Sequence, residues 1–457
     1  MNNQDVLISM DDALPPTLNS FNLAGNESFL NWLLPIVESL RETEYWNKDH
    51  IAKIQSARLE KLFLQLSGNS SFWDNHFRQH DVKPNASSPI DELKKLPIIN
   101  RDWFLAKKNT FVISPNIREG SLRYFSTSGT TGKVLAGAFT HGEIIVSYLP
   151  YFFRHRVFNS IGEFISRKFF LGIGRVLTEQ YSSLGDSFIL DHFASLEKKE
   201  IRNELYKKIK SISPAMLWAY PTTLLEFATY YRDDNIQLPL LAVRTGGEYV
   251  TKSQKDFIKV ALGTEYIDHY SAREIGSIGT SCDKNPTEGF YHIDRERLIV
   301  EVLDDDGGEV PGNTEGNIII TVLDRTTFPL IRYALGDRGK IVSCVCGRTD
   351  ALIFAGRVGE YILLPSGKRF SVLQFRTIIA NLVSFRNIRN FRIVQESLDT
   401  LSVSIFFNYE PSSNQIDLFE KILSKTLYDE IKVSIKKVDA GFFKAGKSKV
   451  FENLKRG

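Results

Sequence analysis

The chain has 457 residues, of which 42% are hydrophobic and 24% are charged. This length and composition exclude an intrinsically disordered chain and favour a globular protein of two or three packed units. Lysine plus arginine (57) nearly balances aspartate plus glutamate (54), and the two signs are interspersed, so we expect no basic face for binding a nucleic acid.

The cysteines and the N-terminus indicate the cellular setting. Three cysteines in a chain of 457 residues do not make a disulfide framework, so we expect a reducing compartment and a cytoplasmic location. The first residues, MNNQDVLISMDDALPP, carry acids where a secretory signal needs basic residues. Even the apolar stretch Ile144–Phe153 is too short to cross a bilayer and is followed by basic residues, so no membrane span is expected.

The predicted elements change in character along the chain. Apolar residues recur at three- and four-residue intervals near the start, which predicts amphipathic helices in a helical entry region, 1–119. Residues 120–290 alternate helical stretches with short β-rich runs, as in an α/β domain with a largely parallel sheet. Closely spaced strands predict a β-rich subdomain in 291–357. Residues 358–457 read as a compact α+β unit, so we expect a large N-terminal domain, 1–357, and a small C-terminal domain.

A segment rich in hydroxyls and glycines ends in a lysine. It reads Ser126, Thr127, Ser128, Gly129, Thr130, Thr131, Gly132 and Lys133. Small residues let backbone N–H groups approach phosphate oxygens, the hydroxyls donate hydrogen bonds and the lysine adds charge, so we predict a polyphosphate-binding loop. A P-loop NTPase would need glycine at Thr127 and a hydroxyl at Val134, which excludes that motif. A Ser/Gly-rich surface turn is the alternative.

This loop resembles that of the superfamily containing acyl-CoA synthetases, nonribosomal-peptide adenylation domains and luciferases. From about residue 45 to the C-terminus the chain looks more narrowly like the phenylacetate–CoA ligase branch, with its capsule-biosynthesis relatives. The resemblance implies an adenylate-forming ligase that uses ATP to convert a carboxylic acid into an acyl-AMP, releases pyrophosphate and passes the acyl group to an acceptor. It also implies that 1–357 binds ATP and the acid, and that 358–457 is a mobile lid.

Two further motifs follow in the order that the superfamily requires. They are Gly246-Gly247-Glu248 and Tyr270-Ser271-Ala272-Arg273-Glu274. By resemblance the first lines the adenine pocket, Tyr270 packs on the adenine ring, and Glu274 ligates the magnesium that bridges the phosphates. An aromatic face suits a base and a carboxylate suits a hard cation. Taken singly, a Gly-Gly pair is usually a turn and a lone tyrosine is usually part of a core.

The ribose and hinge motifs come next. Arg332-Tyr333-Ala334-Leu335-Gly336-Asp337 matches the superfamily's ribose motif, in which the aspartate, Asp337 here, accepts hydrogen bonds from both hydroxyls. Gly356-Arg357 matches the hinge motif, whose arginine approaches the ribose or a phosphate. The family usually has an aspartate two residues later, where this chain has Gly359, so either Gly359 or Glu360 is the hinge residue.

A lysine near the C-terminus is the predicted catalytic group. Gly446-Lys447 resembles the mobile loop that delivers the adenylation lysine to the attacking carboxylate and the α-phosphate. Lys449 is the rival candidate, and a basic tail is otherwise usually a solvated surface. We favour Lys447 because it directly follows glycine, as in the family.

The three cysteines and one histidine allow two readings. Cys344 and Cys346 follow the ribose motif, whereas Cys282 and His292 bracket a turn after the magnesium motif. Three thiolates and an imidazole suit a structural, tetrahedral zinc, and some relatives in the branch look similar at these places. Buried free cysteines beside a surface histidine are the alternative.

Several properties stay open at this level. Coenzyme A is the expected acceptor from the branch, while a carrier-protein thiol, an amine or a cysteine of a partner protein would follow the same first step. A nucleotide sensor without turnover is a competing class. The acid cannot be named, although residues 140–245 are expected to supply its pocket. The oligomeric state is undecided, a homodimer included.

Overall fold

The computed structural model describes most of the chain. The described residues are 3–9, 27–107, 122–126, 135–154, 170–174, 186–189, 196, 198–238, 240–246, 250–282, 284–285, 287, 289–382, 388–407, 409–439, 442 and 450–452.

Helices are concentrated before residue 107 and between the strands of the first half. The α-helices in the described residues are α1 (Asn3–Ile8), α2 (Glu27–Glu42), α3 (Lys48–Asn69), α4 (Ser71–Gln79), α5 (Pro89–Lys95), α6 (Arg101–Ala106), α7 (His141–Phe153), α8 (Lys199–Ile212), α9 (Pro221–Asp233), α10 (Lys252–Leu262), α11 (Val372–Leu382) and α12 (Ser413–Thr426). A 3-10 helix spans Thr43–Tyr45. Within the described residues, none of the helices combines the length and apolar character that crossing a membrane requires.

Strands dominate the rest of the described chain. They are β1 (Leu122–Ser126), β2 (Ala136–Thr140), β3 (Phe170–Gly174), β4 (Asp186–Ile189), β5 (Met216–Ala219), β6 (Ala242–Thr245), β7 (Glu265–Ala272), β8 (Gly276–Ser281), β9 (Phe290–Ile293), β10 (Leu298–Leu303), β11 (Gly316–Val322), β12 (Tyr333–Val342), β13 (Ala351–Arg357), β14 (Tyr361–Leu363), β15 (Arg369–Ser371), β16 (Ile388–Gln395), β17 (Thr400–Phe407), β18 (Lys432–Lys437) and β19 (Phe451–Glu452).

One 11-stranded sheet joins the two patterns expected from the sequence. Its order is β10-β11-β12-β13-β9-β8-β7-β6-β5-β3-β4. Strands β3 to β7 pair in parallel, with α9 and α10 as the crossovers between β5, β6 and β7. Strand β7 then pairs antiparallel with β8, so the closely spaced strands of the later segment extend the same sheet. The sheet changes from parallel to antiparallel at β7.

The sheet is buried on both faces, and β5 shows how the sequence achieves this. Met216 and Trp218 pack in one core with α7, whereas Leu217 and Ala219 pack in another with α8, α9 and α10. Alternate residues of a strand point to opposite faces, so a strand buried on both sides is apolar throughout. This mixed α/β architecture is the predicted fold class.

Capping residues set where two of the helices begin. Thr251 accepts the backbone N–H of Gln254, and the Gln254 side chain accepts the backbone N–H of Thr251, so α10 begins with a capping box. Helix α10 ends at Gly263, whose φ of 60° is left-handed. Ser412 and Gln415 form the same box at the start of α12.

The residues after β13 form a second, smaller core. Strands β18, β17, β16 and β19 make a four-stranded sheet on which α11 and α12 pack through residues such as Phe375, Leu423 and Ile405. The segment adjoins the large sheet at β13, where the Ser371 hydroxyl donates to the Ala355 carbonyl at 3.3 Å.

Candidate nucleotide site

Three motifs that are far apart in the sequence meet at Asp337. The Tyr270 hydroxyl donates to Asp337 Oδ2 at 2.6 Å, and Arg357 Nε donates to Asp337 Oδ1 at 3.0 Å. Asp337 and Arg357 are directly opposite each other on β12 and β13, and Gly336 adopts a left-handed φ of +83° just before the aspartate. The structure therefore brings together the aromatic, ribose and hinge residues predicted from the sequence.

The surroundings of Tyr270 and Arg357 fix the protonation states of these two side chains. The Tyr270 ring stacks on Tyr291, with centroids 5.4 Å apart, and lies 5.5 Å from Phe354. Burial raises the pKa of Tyr270 well above its usual value, and the adjacent Asp337 carboxylate raises it further. Burial lowers the pKa of Arg357, but Asp337 more than offsets this, so that pKa is raised overall. Tyr270 and Arg357 are therefore both donors at neutral pH, and Asp337 accepts from each.

Glu274 is held in the turn between β7 and β8. Its carboxylate accepts the Tyr333 hydroxyl at 3.2 Å, and its backbone carbonyl accepts Arg325 Nη1 at 2.8 Å. Burial, followed by the charge of Glu274, raises the pKa of Tyr333 above its usual value, whereas Arg101 opposes that shift. Burial, followed by the nearby Arg297, lowers the pKa of Arg325 to about 10, so it remains a cation at neutral pH. The carboxylate is thus positioned by two buried neighbours.

An aromatic layer connects the predicted phosphate loop to Glu274. Phe125 stacks on Phe139 at 4.4 Å and meets Phe328 edge-on at 5.2 Å. Phe328 stacks on Phe104 at 5.1 Å, and Phe104 lies 5.9 Å from Tyr333, the partner of Glu274. The β1–β2 hairpin therefore packs against the aromatic side chains that lead to Tyr333, and Tyr333 holds the predicted magnesium ligand, Glu274.

The predicted phosphate loop begins at the end of strand β1. Ser126 is the last residue of β1 and is paired with Ala136 of β2. Its predicted phosphate contacts remain a prediction, because the rest of the loop lies outside the described residues: Thr127, Ser128, Gly129, Thr130, Thr131, Gly132 and Lys133.

The predicted adenine element adjoins the aromatic motif. A Cβ placed on Gly246 would be 3.7 Å from Trp218 Nε1 and 3.9 Å from Ser271 Oγ. Gly246 therefore lies beside the strand that carries Tyr270. Gly247 and Glu248 lie outside the described residues.

The hinge contains a tight turn. Gly359 has a φ of +81°, which favours glycine, and Glu360 donates its backbone N–H to the Arg357 carbonyl at 3.0 Å. Lys447 lies outside the described residues, so its role as the adenylation lysine remains a prediction.

The predicted zinc ligands form a compact cluster. Their four ligand atoms, from Cys282, His292, Cys344 and Cys346, lie within 4.8 Å of one another. Cys344 Sγ is 3.7 Å from Cys282 Sγ, and Cys346 Sγ is 3.5 Å from His292 Nε2. Bonds of about 2.3 Å in a tetrahedral zinc site separate two sulfurs by about 3.8 Å, so the spacing fits zinc.

Sequence reasoning missed two positions of this site. Arg325 supports the backbone of Glu274 from a segment without a recognisable motif. Arg101, at the start of α6, hydrogen-bonds the Tyr333 hydroxyl. The only local signal at Arg101 is its position at a polar-capped helix start. Neither contact could be predicted from the sequence, because each joins residues that are far apart along the chain.

No family model matches the chain, whereas individual proteins resemble it in sequence and in fold. The chain is 22% identical over 341 residues to a phenylacetate-coenzyme A ligase of Thermus thermophilus, covering 71% of this chain and 74% of that protein. It is 23% identical over 295 residues to Protein CapK of Staphylococcus aureus, covering 62% of each. Its fold matches 2-hydroxyisobutyryl-CoA ligase in the postadenylation state with 2-HIB-AMP, at a TM-score of 0.67 and 14% identity over 98% of this chain and 94% of that one. The chain therefore resembles the adenylate-forming ligases in sequence and in fold, and among them the phenylacetate–CoA ligase-like branch.

Proposed function

We propose that this enzyme converts a carboxylic acid and ATP into an acyl-AMP and pyrophosphate, and then transfers the acyl group to the thiol of coenzyme A. The observation that carries the proposal is the hydrogen-bonded trio of Tyr270, Asp337 and Arg357. A carboxylate with two acceptor oxygens, fixed beside an aromatic ring and a cation, is suited to a ribose, a base and a phosphate of one nucleotide.

In the first half-reaction the protein positions the reactants and stabilises charge. Asp337 accepts the ribose hydroxyls, and Tyr270 offers its ring to adenine. Ser126 and Lys133, at the two ends of the phosphate loop, bind the β- and γ-phosphates. Lys447 contacts the attacking carboxylate and the α-phosphate, where negative charge grows as the P–O bond to pyrophosphate breaks.

Glu274 is the proposed magnesium ligand. A buried carboxylate held by Tyr333 and by the Arg325 contact to its own backbone is a hard oxygen donor in a fixed place, which fits magnesium. When bound, the ion would neutralise charge on the phosphates.

The second half-reaction is proposed to use the hinge. Gly359 adopts a left-handed conformation directly after Arg357, which lies against Asp337. Rotation of the C-terminal unit about this turn would remove Lys447 and open a route for a thiol. Coenzyme A is the preferred acceptor because several of the relatives that the chain matches are named phenylacetate-coenzyme A ligases. A carrier-protein thiol or an amine is the alternative.

A structural zinc is part of the proposal. Cys282, Cys344, Cys346 and His292 would fill all four positions of a tetrahedral ion, which leaves none open for catalysis. The cluster joins the turn after β8 to the turn after β12, so the metal would stabilise the antiparallel half of the sheet.

Exchange of radiolabelled pyrophosphate into ATP tests the first step. The enzyme should catalyse exchange only with its acid present, and a panel of aryl, fatty and amino acids identifies the class. Thioester formation with coenzyme A, measured against a carrier protein and an amine, then identifies the acceptor. ATP binding without exchange for any acid would instead indicate a non-catalytic nucleotide-binding homologue.

A further inference from the structure

The ring of Tyr270 rests against two aromatic side chains that belong to other strands. Tyr270 is on β7, Tyr291 is on β9 and Phe354 is on β13. The Tyr270 and Tyr291 rings stack with 5.4 Å between their centroids and 28° between their planes, and the Phe354 ring lies 5.5 Å from Tyr270. Tyr291 is 7% exposed, whereas Tyr270 is only partly buried. Tyr291 therefore lies behind Tyr270, on the inner side of this aromatic group.

Two small residues of β8 let these rings meet. Strands β7 and β9 are second neighbours in the sheet, so their backbones are about 10 Å apart. On the strand between them, Gly279 is paired with Tyr270 and Ser281 with Tyr291. Paired residues share a face of the sheet, so the two rings lean towards each other over a glycine and a serine. The glycine position admits no larger residue, because a Cβ there would collide with the carbonyl oxygen of His292.

The strand that carries Tyr291 is held from both sides and on both faces. Strand β9 pairs with β8 on one side and with β13 on the other. Alternation along the strand directs Phe290 and His292 to the face opposite Tyr291. On that face Phe290 packs with Cys344 and Ala351 in a small separate core. Tyr291 is therefore a rigidly mounted support.

The plane of the Tyr270 ring depends on this support. The Tyr270 hydroxyl is bonded to Asp337 at 2.6 Å, which fixes the outer end of the side chain. The hydroxyl oxygen lies on the axis about which the ring turns, so this bond alone leaves the ring free to rotate. Packing against Tyr291 and Phe354 removes that freedom.

We propose that Tyr291, together with Phe354, is a positioning residue for the nucleotide, which holds the plane of the Tyr270 ring so that the adenine base can stack on it. The inference rests on the proposed function, in which Tyr270 packs on adenine. Strands β9 and β13 lie on one side of β7 in the sheet, and the predicted adenine element at Gly246 follows β6, on the other side. Tyr270 thus stands between its aromatic supports and the predicted adenine element.

The expected effects follow from the energy of stacking. A base stacked on an aromatic ring gains about 5- to 100-fold in affinity, and Tyr270→Leu should lose this gain. Tyr291→Leu leaves the Tyr270 ring in place but lets it turn, so only part of the gain should be lost. We therefore expect Tyr291→Leu to bind ATP about three- to tenfold more weakly. Tyr291→Phe keeps the supporting ring and should bind ATP as the wild type does.

Isothermal titration calorimetry with ATP and magnesium tests the inference without requiring the acid to be known. In a Tyr270→Leu background, Tyr291→Leu should have no further effect on ATP, since Tyr291 acts through that ring. Phe354→Leu changes a partly buried support and should weaken ATP binding less than Tyr291→Leu, which provides a second variant if the first does not fold. In pyrophosphate exchange, Tyr291→Leu should raise the KM of ATP but not that of pyrophosphate, which has no base.

Tyr231→Leu is the matched control. Tyr231 is also 7% exposed and its ring lies 5.7 Å from Phe227, but it belongs to the core that α9 shares with α8 and α10. Its loss should lower the melting temperature without changing ATP affinity.

Two results would overturn the inference and leave acyl-AMP formation standing. One is a folded Tyr291→Leu enzyme that binds ATP as tightly as the wild type. The other is a Tyr291→Leu effect that persists undiminished in the Tyr270→Leu background. Unchanged ATP affinity in Tyr270→Leu itself would instead reject the adenine assignment of the proposed function, and the inference with it.

Discussion

Replacing Asp337 by asparagine removes one negative charge at the centre of the nucleotide site and little else. Asparagine has the same shape and retains one acceptor oxygen. The ion pair with Arg357 is partly buried, with 37% of the arginine side chain and 10% of the aspartate side chain accessible, so its loss should cost about 1–3 kcal/mol of folding free energy, less than the stability of a typical domain. The protein should therefore stay folded, and the effect should fall on ATP.

The expected magnitude follows from the hydrogen bonds that the carboxylate would make. A bond to a charged group contributes about 1.5–3 kcal/mol, and each 1.4 kcal/mol corresponds to a factor of ten. Loss of one such bond to a ribose hydroxyl should raise the KM of ATP about 10- to 100-fold in Asp337→Asn. The KM of the acid should change far less, because Asp337 is not expected to contact it.

Initial rates of pyrophosphate exchange at varied ATP, with thermal unfolding alongside, measure both effects. Asp305→Asn is the matched control, because Asp305 also pairs with an arginine, Arg338, but on an exposed surface. A KM of ATP within twofold of the wild-type value in folded Asp337→Asn would refute the ribose assignment.

Three other outcomes are expected. Lys447→Ala should abolish acyl-AMP formation yet still transfer a supplied acyl-AMP, whereas Lys449→Ala should keep both steps; unchanged exchange in the first variant would contradict the assignment. Purified protein should hold about one zinc per chain by metal analysis, and Cys346→Ala should lower both that content and the melting temperature; metal-free protein of equal stability would count against the site. Burial, followed by His80 and Lys107, lowers the pKa of His76 from 6.5 to about 4, so its contribution to stability is complete above pH 6.5 and is lost as the pH falls towards 4. Thermal unfolding at pH 7 and pH 5 should show a smaller acid loss in His76→Phe than in the wild type, and equal losses would exclude His76 as the cause.

The fold class was predictable because its signals are local. Helix α10 begins and ends where Thr251 and Gly263 indicate, since a cap involves only neighbouring residues. The continuity of the sheet was not predictable in this way. Strands 291–357 read as a separate β-rich pattern, and only the pairing of β7 with both β6 and β8 joins them to the parallel strands.

The cysteines show the same difference between local signals, which can be predicted, and strand pairing, which cannot. Residue types and spacing leave zinc and free thiols as equal alternatives, because Cys282 and Cys344 are separated by 62 positions. The pairing of β9 with β13 aligns His292 with Ala351, a few residues after Cys346, and so brings the two halves together. The four-ligand geometry is therefore a product of strand register.

The sequence by itself determined which groups are available to a nucleotide and in what order they occur, because loop composition, caps and motif residues are properties of short stretches. The tertiary structure decided which of those groups meet. Tyr270 and Asp337 are 67 positions apart, and Tyr333 and Glu274 are 59 apart. Bonds over such separations depend on how strands align within one sheet, which local hydrogen bonding and periodicity do not specify.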